Sequence, residues 1–391
     1  MIQDVDVVSR IPGERSSAPL TVLNIAFPLA PVGPDAVGGA EQVLTALDEA
    51  LVRAGHRSIV LACEGSACRG ELVATPNWGK KGENELHELD EETWREAHRC
   101  FRSALQDALR RFVPDVLHFH GVDFAAYLPP PGPPVLATLH LPLSHYHPES
   151  FFPGRPRTYL HCVSQAHHDS FPPEIRRLDP VSNGVDLELY RPWRRKEPFA
   201  LALGRICPEK GFHLAAEAAE KARLPLRIGG QVFPFGEHLR YFREELEPLL
   251  NRPGSCCRFL GPLERERKRR LLAATRCLLI PSQVDETSSL AAMEALASGT
   301  PVIAFRRGAL AEIIEPGRTG FLVSDVAEMA EAISAVEGID PAECRRAAVE
   351  RFSFTRTAET YLGLYRRLAA ESGSRDAVPM PAGEVHVVHA V

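Results

Sequence analysis

Apolar residues in this chain fall in short unbroken runs rather than in alternation. The runs lie at 21–27 (TVLNIAF), 58–63 (SIVLAC), 115–120 (DVLHFH), 134–140 (PVLATLH), 158–164 (TYLHCVS), 199–204, 225–230, 257–261, 277–281, 301–305 and 320–323. A strand that is apolar on both sides must be covered on both sides, so the runs predict parallel sheets sandwiched between helices. Between the runs the period changes to three or four. Residues 40–54 and 93–112 read as helices, the second with Trp94, Ala97, Phe101, Ala104, Ala108 and Phe112 on one face. Its arginines coat the opposite face. Packing against a sheet is the preferred reading of the apolar face, and lying on a membrane surface the sharper alternative.

Five or six runs precede residue 185 and as many follow residue 198. The charged, proline-flanked segment between them, YRPWRRKEP (190–198), reads as a linker. The expected fold class is α/β, with two Rossmann-like, doubly wound parallel-sheet domains of similar size, 1–190 and 198–359. Such sheets bind ligands at the carboxyl ends of their strands, so two of them should face a shared cleft. Segments 70–92 and 141–157 read as long loops beside it, and 372–391 as a flexible tail.

Composition narrows the function classes. The chain has 391 residues, 45% hydrophobic and 25% charged, with 45 basic against 51 acidic side chains and a net charge of −6. That balance excludes a wholly disordered chain and a general nucleic-acid binder. No run reaches the ~18 apolar residues of a membrane span. The N-terminal MIQDVDVVSRIPGERSS lacks the apolar core of a signal peptide. Nine scattered cysteines suggest reduced thiols and a cytoplasmic location. Only six of the basic residues are lysines, which makes a lysine inside a motif easy to notice.

Four segments carry candidate chemistry. In ETSSLAAMEALASGTPVIA (286–304), Glu286 and Glu294 flank the expected start of a helix near Ser288 or Ser289. The helix N-terminus favours an anion. Eight helical residues would span ~12 Å, which lets one carboxylate reach a sugar ring and the other a ribose across a diphosphate. The plain alternative is two surface glutamates flanking an ordinary helix. In LGRICPEKGF (203–212), Gly204 ends a strand and Arg205 and Lys210 follow, a fork and a point charge suited to phosphate. A charged loop without a ligand is the alternative. In AVGGAEQVL (36–44), Gly38 and Gly39 open a helix after the first strand, although the GxGxxG spacing is absent. His118 and His120 share one face of their strand, and His140 ends the next strand. His120 and His140 are expected at the cleft floor, with His118 a further cleft candidate for which a buried, satisfied role is preferred. A zinc site drawing on His145, His147, His161 or Cys162 has no standard ligand spacing, so no metal is expected.

Taken in order, GGAE, RAGH, PDVLHFH, SNGVDLELY, LGRICPEKG and Glu-x7-Glu with GTPVIA resemble glycosyltransferase family 4, of GT-B fold, over roughly residues 20–370. The resemblance implies a retaining, metal-independent transferase that moves a sugar from a nucleotide-sugar donor, UDP- or GDP-linked, to an acceptor hydroxyl. No other cofactor is implied. By the same resemblance, Arg205 and Lys210 would hold the donor diphosphate, Glu294 the ribose and Glu286 the donor sugar. Gly38, Gly39, Gly204, Ser289 and Leu290 would line the donor pocket, and His120 would sit at the sugar. Residues 351–368 look like the family's final helix, which returns to the first domain and is placed at about 360–371 in the domain scheme. Thr287 and Ser288 depart from the glycine or phenylalanine common in relatives, and Gly121 follows the His-x-His pair where an acidic or aromatic residue is common. A GT-B epimerase and a non-catalytic nucleotide-sugar binder remain alternatives. The acceptor is not identified, and membrane contact is not indicated.

Overall fold

The computed structural model describes residues 18–78, 91–193, 195–233 and 236–371. Among these, twelve strands build two six-stranded sheets. The first holds β1 (Thr21–Ile25), β2 (Arg57–Cys63), β3 (Glu71–Thr75), β4 (Val116–Phe119), β5 (Val135–Leu139) and β6 (Thr158–Cys162). The second holds β7 (Glu197–Leu203), β8 (Leu226–Gly229), β9 (Cys257–Phe259), β10 (Thr275–Ile280), β11 (Val302–Phe305) and β12 (Gly320–Val323). Their orders are β3-β2-β1-β4-β5-β6 and β12-β11-β10-β7-β8-β9, the same doubly wound order repeated. All pairings are parallel. Each sheet therefore reverses its winding once, between β1 and β4 and between β7 and β10, and these two points open the ligand crevices.

The unbroken apolar runs are explained by burial on both faces. Leu23, Ile25, Leu117, Phe119, Val135 and Ala137 pack with Phe101, Leu105, Ala108 and Phe112 of the helix Glu91–Phe112. That helix buries its apolar stripe in the core, as the packing reading expects. Val22, Val116 and Leu136, one residue out of phase, pack on the other face with Leu47 and Leu51 of the helix Gly39–Arg53.

Tyr361, Leu364, Tyr365 and Leu368 of the final helix, Phe354–Ala370, join this second layer. The last helix thus completes the core of the first sheet. It begins earlier than the expected 360, because Phe354 and Ala358 already belong to its buried face. A domain boundary at 359 would cut through it.

One further expectation changes. The region 70–92 contains β3 and is not all loop. As an edge strand with four of its five residues exposed or half-buried, β3 lacks the apolar run that marks the others. The segment 190–198 joins the two halves, as a linker does, and is anchored at its start. Tyr190 is buried, and Arg345 donates to the carbonyls of Leu187, Tyr190 and Ala297 at 3.0, 2.6 and 2.8 Å. Arg345→Ala leaves three carbonyls without their charged donor and should lower stability by about 2 kcal/mol, read from urea midpoints at constant slope. A change under about 0.5 kcal/mol would mean that the clamp is incidental.

None of the nine cysteines forms a disulfide. Among the described residues no helix is long and apolar enough to cross a membrane. Segment 141–157 holds two short 3-10 turns, as a loop should. The expected tail, 372–391, lies outside the described residues.

Candidate functional site

The carboxyl ends of both sheets line one cleft of about 1970 Å³. Gly38, Gly39, His120 and His140 line it from the first half, and Gly204, Arg205, Lys210, Glu286, Ser289, Leu290 and Glu294 from the second. The halves meet closely there: a β-carbon added to Gly39 would lie 3.7 Å from Leu290 Cδ1.

The loop after β7 is shaped by its sequence. Pro208 opens a single 3-10 turn, Pro208–Lys210, and Gly211 follows in the left-handed region at φ 62°. A side chain on Gly211 would come within 2.4 Å of the Pro281 carbonyl, so the chain reverses there only with glycine. The Gln283 amide donates to the Glu209 carbonyl at 2.7 Å and joins this loop to the one after β10. Lys210 Nζ is thereby held 2.5 Å from Glu286 Oε1, and the Ser282 hydroxyl donates to the same carboxylate oxygen. Glu286 is fixed in turn by a bridge to Gly308, with the Ala309 amide on its carbonyl at 2.8 Å. Arg205 is exposed to the cleft and has no ion-pair partner among the described residues.

Ser289 caps the helix Leu290–Ala297, its hydroxyl accepting from the Ala292 amide at 3.4 Å. The amide groups of the helix start thus face the cleft beside Lys210. One turn further, Glu294 is 4% exposed and its Oε1 accepts from Lys268 Nζ at 2.7 Å and Tyr190 OH at 2.6 Å. Burial and the Glu294 carboxylate push the Tyr190 phenol well above its ordinary value, so it stays a donor.

On the floor, His120 Nδ1 pairs with His140 Nε2 at 3.1 Å, and His120 Nε2 is buried with no protein partner. Burial, then the neighbouring imidazoles, hold His120 well below its ordinary value and lower His140 to about 3. Both rings are neutral near pH 7. The Ser288 hydroxyl is also buried and unpartnered. Orphaned polar atoms on the wall of a cleft call for a polar ligand.

His118 does not reach the cleft. It is fully buried, with Nδ1 2.6 Å from Tyr365 OH and Nε2 2.6 Å from Thr138 Oγ1. Thr138 continues to His161 Nε2 at 2.6 Å. The shared strand face predicted for His118 and His120 is real, with ring centroids 4.0 Å apart. The final helix covers the inner ring of the pair. The acceptor-side role considered for His118 is therefore replaced by the satisfied, buried role.

Several cleft residues escaped the sequence reading. Lys268 was hidden in the run RERKRR, where it stands among four arginines, and its rarity as a lysine was the available signal. Tyr190 carried none. The Thr287 hydroxyl donates across the cleft to the His140 carbonyl at 2.7 Å. Glu41 folds back over Gly38 with its carboxyl raised by burial, an effect that Arg205 partly offsets. Among the described residues one group could hold a metal ion, Cys207, Glu209 and His238. None of the three lines the cleft.

Two equivalent doubly wound sheets facing one cleft make this a GT-B fold, with cations and carboxylates gathered at the second sheet's winding reversal. Residues 37–189 match the family described as Glycosyltransferase Family 4 and residues 197–337 that described as Glycosyl transferases group 1, and the chain belongs to these family 4 glycosyltransferases. A D-inositol 3-phosphate glycosyltransferase of Nocardioides sp. is 33% identical over 230 residues, 50% of this chain and 49% of that protein. The chain spans about half the length of the curated relatives it matches, 49% and 50% for the first two.

Among solved structures, AviGT4, a glycosyltransferase involved in avilamycin A biosynthesis, aligns with TM-score 0.66 and 26% identity over 90% of this chain and 98% of its own. Anabaena HepE in complex with UDP-glucose aligns with TM-score 0.64 at 17% identity over 89% and 100%, a likeness of fold.

Proposed function

We propose that the chain is a retaining, metal-independent glycosyltransferase that moves a sugar from a nucleoside-diphosphate sugar, UDP- or GDP-linked, to an acceptor hydroxyl, in the cytoplasm and with no cofactor beyond that co-substrate. The observation that carries this reading is the Lys210–Glu286 pair at 2.5 Å, with Arg205 open beside it, at the β7/β10 winding reversal. The named activity of the inositol phosphate relatives and the UDP-glucose bound by HepE support it.

In this reading the bond from the anomeric carbon to the diphosphate oxygen breaks, and its electron pair leaves on the diphosphate. Arg205, Lys210 and the amides at the start of the helix Leu290–Ala297 face the charge that develops. In this reading these positive groups would do the work that a divalent cation does in metal-dependent transfer. The acceptor oxygen bonds to the anomeric carbon from the face of departure, and its proton passes to the leaving phosphate. Glu286 accepts from sugar hydroxyls and Glu294 from the ribose. His120, with Nδ1 engaged by His140, offers Nε2 to the sugar.

A thermal-shift panel of UDP-, GDP-, ADP- and TDP-sugars tests the reading. A donor at 100 times its Kd should stabilise by about 2.7 kcal/mol, several degrees for a protein of this size. Mass spectrometry with acceptors, anomeric NMR of the product and retention of activity in chelator test transfer, stereochemistry and metal independence. No shift with any donor would overturn the reading. Donor conversion without acceptor would indicate an epimerase, and binding without turnover a sensor.

A further inference from the structure

We propose that Lys268 and Tyr190 are positioning residues that hold the Glu294 carboxylate toward the ribose diol, and so make the cleft select ribonucleotides over deoxyribonucleotides; this rests on the donor-site reading above. Both donors reach the same oxygen. Lys268 Nζ lies 2.7 Å and Tyr190 OH 2.6 Å from Glu294 Oε1. The other oxygen, Oε2, accepts nothing from the described residues, and the side chain lines the cleft.

A carboxylate held by one donor can rotate about its last bond. Two donors on one oxygen fix its plane and leave the second oxygen presented in one direction. Three separate elements converge on this atom: the segment joining the two halves, the helix Arg265–Ala274 and the helix Leu290–Ala297. Lys268 Nζ also lies 5.9 Å from the centroid of the Tyr190 ring, so the two donors are packed together rather than meeting by chance. Glu294 and Lys268 are largely shielded, with side-chain exposures of 5% and 20%. The lysine charge lies directly against a shielded carboxylate, whose second oxygen has lone pairs to accept from the hydroxyls of a diol.

Lys210 pairs with Glu286 instead. The diphosphate end and the ribose end are therefore separate electrostatic units, and each can be disturbed alone. A site built around a hydroxyl rejects the analogue lacking it, because its own polar groups are left unpaired.

The test measures, on the full chain, calorimetric Kd values for the nucleoside diphosphate that binds and for its 2′-deoxy and 3′-deoxy forms. The wild-type chain should prefer the ribonucleotide by at least about tenfold. Lys268→Met should weaken ribonucleotide binding and bring the ratio to within about twofold of unity, with Lys268→Arg restoring part of it. Tyr190→Phe, which keeps the charge, should lower the ratio less and provides a second variant if Lys268→Met fails to fold. Lys210→Ala should weaken ribo and deoxy forms alike and leave the ratio unchanged.

A ratio unchanged in Lys268→Met, or equal loss for ribo and deoxy forms as a direct phosphate contact would give, overturns the positioning role while the donor-site reading stands. A wild-type ratio near unity has the same effect. Absence of nucleoside diphosphate binding to the wild-type chain overturns both.

Discussion

Lys210→Ala is expected to lower turnover of the accepted donor about 10²- to 10³-fold, the cost of removing one preorganised donor from a developing oxyanion. The geometry gives the reason. The ammonium is held 2.5 Å from Glu286 Oε1 before any ligand arrives, and Gly211, at φ 62°, fixes the turn that carries it. A group placed in advance needs no reorganisation as charge develops on the departing diphosphate. Folding should suffer far less. Lys210 is 25% and Glu286 10% exposed, and Ser282 remains as a donor to the carboxylate, so a loss of about 1–2 kcal/mol is expected. The pair of measurements is decisive: kcat against the urea midpoint of the same variant. Near-normal turnover would remove Lys210 from the chemistry, and an equally large fall in stability would make its role structural.

Acidification from pH 7 to 5.5 is expected to cost about 5 kcal/mol of folding stability through four buried histidines alone. His118 and His120 are held well below their ordinary value, His140 is lowered to about 3 and His161 to about 4, in each case chiefly by burial. Their folded-state values are depressed, so they stay neutral while the unfolded chain takes up protons below about pH 6.5. Stability is therefore full above that value and falls as pH drops toward 4. Between 7 and 5.5 each ring contributes a little over 1 kcal/mol.

Carboxylates such as Glu315 and Glu343, held below their ordinary value by Arg318, titrate at lower pH and do not obscure this window. Urea unfolding at the two pH values is the measurement, and a difference under about 1 kcal/mol would mean that these rings are not buried as neutral groups. Because His118 bonds Tyr365 OH, undocking of the final helix should accompany the loss.

Much of the fold was legible in the chain. Eleven apolar runs gave eleven of the strands, because a strand covered on both faces has no polar alternation to confuse it. β3 was not legible, since an edge strand with Glu71 and Leu72 exposed need not be apolar. The glutamates eight apart, the Arg205–Lys210 loop and the paired glycines were legible as local motifs. Lys268 and Tyr190 were not, because neither lies near Glu294 in sequence: they are separated from it by 26 and 104 positions.

The sequence by itself determined eleven of the twelve strands, their parallel pairing and the local chemistry of their ends. These follow from short-range properties: hydrophobic period, proline and glycine positions and helix caps. Only the tertiary structure decided which ends meet. It joined the β7 and β10 loops through Glu209 and Gln283, set Thr287 against His140 across the cleft, and laid the tyrosines of the last helix over His118. Of two histidines on one strand face, packing alone left His120 in the cleft and took His118 into the core. That choice depends on what a helix almost 250 residues later covers, with His118 and Tyr365 separated by 247 positions.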